Sequence, residues 1–367
     1  MKKTLHLQGL NGLRAIAAIA VVISHTALSL KEFGLIATIF GSDKNGNPKG
    51  LLLASYGVSI FFALSGFLIT YLLLKEKEKT KNINIKKFYI RRILRIWPLY
   101  YLYIILIFII YNIFHISYDS SIIPFYLFLT ANIPIIINNM LPFAGHLWSI
   151  GVEEQFYLFW PWIAKTNNKK LFKYSIFLVI GLFTLKVAFW FINFKYHISL
   201  PLISLSVTRI HIMIIGAIGA ILFYNNSTYI KYLTSIWAQL FSWIILFLVA
   251  LNKFHISSLI DNEIIGIITV IIIFSQITRK NYLVNLENRL MNFIGKISYG
   301  IYVYHPVIIF LTHKTLGKFQ TSSLQNYLIV FLVVISLTIS IAYLSYTYFE
   351  NNFIQFKSRF SVIKSEA

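Results

Sequence analysis

The chain has no cysteine, and only 12 acidic residues stand against 33 lysines and arginines in 367 positions. Without cysteine there is no disulfide, no thiolate metal site and no cysteinyl acyl-enzyme. The shortage of acids makes each carboxylate informative, because few are present to answer a net charge of +21. Charge of either sign is also sparse, at 12% of residues, where a soluble domain carries about 25%. Apolar residues fill the space: they make up 57% of the chain, with 32 Phe and 23 Tyr. The composition excludes a soluble globular protein and defines an all-α polytopic membrane protein. No internal repeat is visible. The histidines lie on different segments without metal-ligand spacing, so no metal site is expected.

Ten apolar stretches can be marked, at 9–30, 51–74, 96–114, 143–164, 174–192, 203–224, 232–251, 260–278, 293–313 and 326–349. Each approaches the roughly 20 residues that a helix needs to cross a bilayer. An eleventh, 121–138, is interrupted by Pro124, Asn132, Pro134 and the Asn138–Asn139 pair. Basic residues decide between the two topologies. Lys75, Lys77, Lys79, Lys81, Lys86, Lys87, Arg91, Arg92 and Arg95 crowd one loop, and Lys165, Lys169, Lys170 and Lys173 another. Both loops are cytoplasmic only if segment 121–142 does not cross; a crossing there would put the second cluster outside, against the positive-inside rule. The expectation is therefore about ten transmembrane helices with both termini cytoplasmic, and residues 350–367 as a short cytoplasmic tail after a membrane domain at 1–349. The basic excess reads as orientation and contact with anionic membrane lipids, not as nucleic-acid binding. The first stretch holds Arg14 and lacks a small-residue cleavage site, so it is expected to be a retained span.

Ionisable groups at membrane depth are costly and mark functional sites by default. Arg14 and His25 are eleven residues apart, which brings them onto one helix face about 16 Å apart along the axis. Arg14 could instead snorkel to the headgroups, and His25 could be a hydrogen-bonded bundle histidine. HLWSIGVEEQFY at 146–157 adds His146, Glu153 and Tyr157. His146 and Glu153, seven apart, share a face on a helix running from Phe143, and Glu153 pairs with Tyr157 at i,i+4. Glu154 points roughly 100° away, towards a partner such as Arg209 or Lys186. A structural Glu–Arg lock is the bland alternative. ISYGIYVYHP at 297–306 carries Tyr302 and His305, the latter too deep for an interfacial belt. RRILRIWPLYY at 91–101 sets Arg92 and Arg95 on one face of a helix expected to break at Pro98; such a pair is ordinary flanking charge or a phosphate clamp. GVSIFFALSGFLIT at 57–70 has Gly57, Ser65 and Gly66, and reads as close helix packing. A catalyst joining a phosphate-bearing donor on one side to an acceptor on the other needs this layout. So does a proton-coupled secondary transporter using Arg14, Glu153 and His25 as a relay.

These motifs resemble the acyltransferase-3 family of integral membrane O-acyltransferases, which modify bacterial surface glycans. GLRAIAAIAVVISH, FFALSGFLIT, RRILRIWPLYY, HLWSIGVEEQFYLFWP, SYGIYVYHP and SYTYFEN follow in the family's order over some 340 residues. The esterase-like (SGNH) domain appended in some members is not expected here. Ser59 stands where members often carry an acid, and His211 where an aspartate is common; both could bear on acceptor choice. The resemblance implies a multi-pass protein of the bacterial inner (cytoplasmic) membrane, with no permanently bound cofactor. It implies a cytosolic acyl-CoA co-substrate, usually acetyl-CoA, and transfer to a hydroxyl of an envelope polysaccharide or glycolipid. Carried over, His25, Glu153 and Arg14 form the catalytic set, with Glu153 holding the His25 imidazole. Arg92, Arg95 and Arg14 would bind the CoA, and His146, Tyr299, His305 and Arg209 would line the substrate site. Arg14, Tyr299 and His146 are the candidates for the oxyanion donor.

Overall fold

The structure is a computed structural model that describes residues 5–41, 51–278 and 282–363, and among these there is no β-strand. The chain begins with α1 (Leu10–Leu28), α2 (Leu53–Thr80) and α3 (Ile85–Ile113). Two five-residue helices, α4 (Ile123–Leu127) and α5 (Asn132–Ile136), lead to α6 (Trp148–Ala164) and α7 (Asn168–Tyr196). Then come α8 (Leu200–Thr208), α9 (Ile210–Tyr224), the short α10 (Tyr229–Leu233), α11 (Ile236–Ala250) and α12 (Asp261–Thr278). The last are α13 (Arg289–Lys296), α14 (Ser298–Leu316), α15 (Leu324–Ser345), a π-turn at Tyr346–Glu350 and α16 (Asn351–Lys357).

All ten apolar stretches contain a helix. Among the described residues seven helical segments, with α8 and α9 counted as one, are long and apolar enough to cross a membrane, and the α13–α14 pair, bent by 67°, makes an eighth if counted as one span. The other two stretches hold α6, with 17 residues, and α11, with 15. Several starts follow from capping: Asn84, Asn167 and Asn288 each accept a backbone N–H from the first turn of the helix they open, which satisfies a donor the helix cannot.

α2 is the axis of the bundle, with 83% of its apolar window buried, whereas α7 is buried over only 11% and faces outward. In lipid, helices associate by close van der Waals fit and not by a hydrophobic drive, so small residues set the contact. A Cβ on Gly66 would fall 1.8 Å from the Met213 carbonyl oxygen, and one on Gly216 would fall 2.0 Å from that of Ala63. The backbones of α2 and α9 therefore touch. Gly57 does the same for α1, where a Cβ would meet the Ala17 carbonyl at 2.8 Å.

Two local expectations change. Pro98 does not end its helix: α3 runs through it from Ile85 to Ile113, as bundle helices tolerate where neighbours satisfy the freed backbone. Two residues before the proline, the Tyr299 hydroxyl donates to the Ile96 carbonyl at 2.8 Å. Secondly, α6 starts at Trp148 and not at Phe143, which has a φ of 59° and precedes a 3-10 turn at Gly145–Leu147.

The interrupted segment between α3 and α6 contains no helix longer than five residues, and tyrosines of α3 secure it. The hydroxyls of Tyr100, Tyr101 and Tyr103 donate to the carbonyls of Tyr126, Leu127 and Phe143 at 2.7–2.8 Å, and Tyr111 donates to Pro142. The terminal segment assigned to the tail is ordered to Ile363: α16 packs on α3, and Arg91 Nη1 donates to the Phe360 carbonyl at 3.0 Å. Its last four residues lie outside the described ones.

Gly66→Ala should lower Tm in detergent by well over 5 °C, or abolish monodisperse protein, since α2 cannot retreat without opening the bundle. Gly181→Ala, where nothing lies within 4 Å of the added carbon, should leave Tm unchanged or raise it. Equal tolerance at both positions would refute the α2–α9 backbone contact.

Candidate active site

Two cavities open off α1 inside the bundle. The first, of about 100 Å³, is lined by Arg14, by Arg92 and Arg95 of α3, and by Glu153 and Tyr157 of α6. Among the described residues, none of the three arginines has a carboxylate oxygen within 4.0 Å. Arg14 is 9% exposed and donates to Asn11 Oδ1 at 3.1 Å, so it is turned inward and does not snorkel. Arg92 stacks over Phe88 and Tyr157 at 5.8 and 5.9 Å, and its Nε is buried without a hydrogen-bond partner. Buried polar groups are nearly always satisfied, so an orphaned guanidinium donor asks for an acceptor. The set fits a phosphate-bearing ligand, whose oxygens match guanidinium geometry.

Glu153 belongs to this cavity. Ser65 Oγ donates to one of its oxygens at 2.7 Å and the Tyr157 hydroxyl to the other at 3.2 Å. The i,i+4 pairing with Tyr157 is present; the pairing with the His25 imidazole is not. Glu154 is turned away as expected, but its partner is neither Arg209 nor Lys186. It accepts from Trp97 Nε1 at 3.0 Å, because α3 and not α9 covers that face of α6. Lys186 is taken by Glu263 at 2.7 Å.

The second cavity, of about 460 Å³, is lined by His25, His146, Trp148 and Arg209, and shares Val58 and Tyr302 with the first. His146 and Glu153 thus lie in different cavities: His146 sits in the 3-10 turn before α6, out of helical register with Glu153. The His25 ring lies nearly parallel to that of His305, at 26°, with its Nδ1 2.7 Å from His305 Nε2. His305 Nδ1 is 2.7 Å from the Tyr302 carbonyl. A carbonyl only accepts, so in the neutral pair His305 carries its proton on Nδ1 and accepts on Nε2. His25 must then be protonated on Nδ1, which leaves the lone pair on Nε2. His305 takes the orienting position expected of Glu153, and the chain ends on a backbone dipole. His146 donates from Nε2 to the Val303 carbonyl at 3.1 Å, leaving Nδ1 as an acceptor.

Arg209 sits at the break between α8 and α9 with a φ of 43°. Its Nη1 donates to Ser55 and Asn262, and its guanidinium lies 5.5 Å from the Trp148 ring centre. Tyr299 lines the arginine cavity, but its hydroxyl proton goes to Ile96, so it is not a free oxyanion donor. Ser59 donates to Asn262 at 2.9 Å. His211 shares Glu263 with Lys186, at 2.8 Å, so the acid expected at 211 is supplied from α12. Sequence reading missed Ser65 as a site residue; its neighbour Gly66 drew the motif towards packing. Tyr302, singled out with His305 in the sequence, donates through its hydroxyl to the His146 carbonyl, and the same oxygen lies 2.7 Å from Ser149 Oγ.

A family described as acyltransferase domain matches residues 7–347, and the chain belongs to it. It is 30% identical over 376 residues to a Staphylococcus aureus (strain COL) protein provisionally named an O-acetyltransferase, covering 96% of this chain and 58% of that one. The peptidoglycan O-acetyltransferase OatA of Listeria monocytogenes is 31% identical over 48% of this chain and 27% of its own length. The O-acetyltransferase OatA of Staphylococcus aureus (strain NCTC 8325) is 28% identical over 42% and 24%. The chain thus spans little more than half the length of the Staphylococcus aureus (strain COL) relative, and less of the other two. No solved structure matches.

Solid-state ¹⁵N NMR of histidine-labelled protein at neutral pH should show His25 protonated on Nδ1 and bare on Nε2. His305→Phe should remove that bias. A His25 protonated on Nε2 would overturn the hydrogen-bond chain.

Proposed function

We propose that the protein is a membrane O-acyltransferase of the bacterial cytoplasmic membrane, moving an acetyl group from acetyl-CoA to a hydroxyl of a cell-envelope glycan. The observation that carries this reading is the adjacency of three guanidiniums without carboxylate contact to a histidine with a directed lone pair. The arginines suit the CoA phosphates, with Arg14 above the Arg92–Arg95 pair. The acyl-bearing arm then has to pass the wall formed by Val58 and Tyr302 to reach His25. The roles of the names borne by the relatives, a peptidoglycan O-acetyltransferase among them, point to the same class of acceptor.

In the proposed reaction His25 Nε2 takes the proton of the acceptor hydroxyl as its oxygen attacks the thioester carbonyl; the C–S bond breaks and the CoA thiolate leaves with a proton. His305 fixes the tautomer and stabilises the charge on His25, as the third member of a triad does. The same lone pair could carry the acyl group in two steps, with identical overall balance. Glu153 acts in the arginine cavity, where it holds Tyr157 and Ser65 in place and offsets part of the local positive charge. Arg14 lies on the donor side, and His146, with Nε2 committed to Val303, is an acceptor and not the oxyanion donor. Arg209 and Trp148 form the acceptor wall: an aromatic face with a cation beside it suits a sugar ring and its polar substituents.

Purified protein in liposomes with radiolabelled acetyl-CoA and an envelope-glycan extract tests the reading. His25→Ala should cut both CoA release and label transfer by about 10²–10⁴-fold. If neither protein turns over CoA with folding verified, the transporter reading takes over and proton flux is the measurement. Arg95→Gln should raise KM for acetyl-CoA about tenfold or more, with kcat much less affected, as loss of a binding contact does. An unchanged KM would remove the arginine cavity from the donor site.

A further inference from the structure

Lys357 lies outside the span that the family matches, 7–347, at the end of α16. The residue is nonetheless only 9% exposed, as buried as Arg14 and Arg91. A lysine so enclosed ordinarily has a carboxylate or carbonyl partner. Among the described residues Lys357 Nζ has none, whereas the other deeply buried lysine, Lys186, donates to both Glu263 and the Leu259 carbonyl. Burial, and then the like charges of Arg95, Arg92, Arg14 and Arg91, disfavour the ammonium form of Lys357.

The placement is fixed from two sides. α16 packs along α3, the helix of Arg91, Arg92 and Arg95. Three residues beyond Lys357, the Phe360 carbonyl accepts from Arg91 Nη1 at 3.0 Å. Arg91 is itself held by Glu76 at 2.7 Å, so the anchor is separate from the unpaired cations. The carboxylates of this region have other partners: Glu153 has Ser65 and Tyr157, Glu154 has Trp97, and Glu350 has Ser345.

We propose that Lys357 is the fourth cation of the donor site, supplied by the C-terminal helix to bind a phosphate group of the acyl donor. The inference rests on the donor reading above. A lysine enclosed among like charges gives up its proton more readily, so the empty protein favours the neutral amine there. A ligand with several phosphate charges converts that repulsion into attraction. An ammonium also supplies a point charge with rotatable donors where the guanidiniums supply planar forks. α16 then belongs to the donor side through its packing on α3, and is not a tail beside it.

The test uses the full chain in phosphatidylcholine nanodiscs, with Tm and calorimetric affinity measured for CoA and for S-acetylpantetheine, which has no phosphate. Lys357→Met should keep or raise the Tm of the unliganded protein, weaken CoA about tenfold and leave S-acetylpantetheine binding unchanged. Lys357→Arg should restore CoA affinity. Unchanged CoA affinity in the Met variant overturns the inference while leaving the donor reading in place. So does a Met variant that is less stable without ligand, because that marks a structural lysine. No CoA binding by the wild type removes both. A Lys357-dependent stabilisation seen only on adding phosphatidylglycerol, with none from CoA, assigns the cations to a lipid headgroup and likewise overturns the proposal.

Discussion

The contact between the backbones of α2 and α9 decides where everything else can go. Gly66 lets α2 rest on the Met213 carbonyl, and Gly216 lets α9 rest on Ala63. Without a side chain between them, α2 becomes the axis of the bundle and its remaining faces point at the other helices. One of those faces presents Ser65, the residue before Gly66, to Glu153. Another presents Phe62 to Trp148, with ring centres 5.9 Å apart. The site is therefore a by-product of packing: where large residues on α2 hold its other neighbours off, the two cavities remain.

The cavities divide the chemistry. Positive charge collects in one, and a histidine with an oriented lone pair stands in the other. Tyr302 belongs to both, and its hydroxyl is pinned between Ser149 and the His146 carbonyl. That bond ties α14 to the turn before α6, so the wall between the cavities is built from the helices that carry the site. His305 leaves from the same helix, three residues on, and uses the Tyr302 carbonyl as the end of its own chain. One residue thus fixes the partition with its side chain and a proton position with its backbone.

Much of this was legible in the sequence. Ionisable residues inside apolar runs singled out Arg14, His25, Glu153 and His305, because the bilayer makes such residues too costly to keep without a use. Helical spacing placed Arg14 and His25 on one face of α1, and each now opens into a cavity. Pairing between helices was not legible. Glu153 and His25 are both half-buried and both titratable, yet each has a nearer partner on a helix far away in sequence. The phase of α6 was misread for a local reason: Phe143 takes a left-handed conformation and a 3-10 turn follows, so counting seven residues from His146 crosses a change in helical pitch. Ser65 was hidden by its neighbour, and Lys357 by the habit of treating a basic terminus as solvated.

α2 and α3 have 28 and 29 residues, about 42 Å each at 1.5 Å per residue, against a hydrocarbon layer of about 30 Å. Unless they tilt strongly, they overreach the apolar layer, and the surplus falls where their ends carry Lys75 to Arg95. The guanidiniums of Arg92 and Arg95 then stand at the level of the headgroups and not in the middle of the membrane. A ligand whose phosphates rest there stays within reach of bulk water on that side, and its charge is never moved through the dielectric barrier. Under the proposed donor reading, only an uncharged thioester arm has to make the journey to His25, and the cost of crossing falls because the charged part of the molecule stays behind.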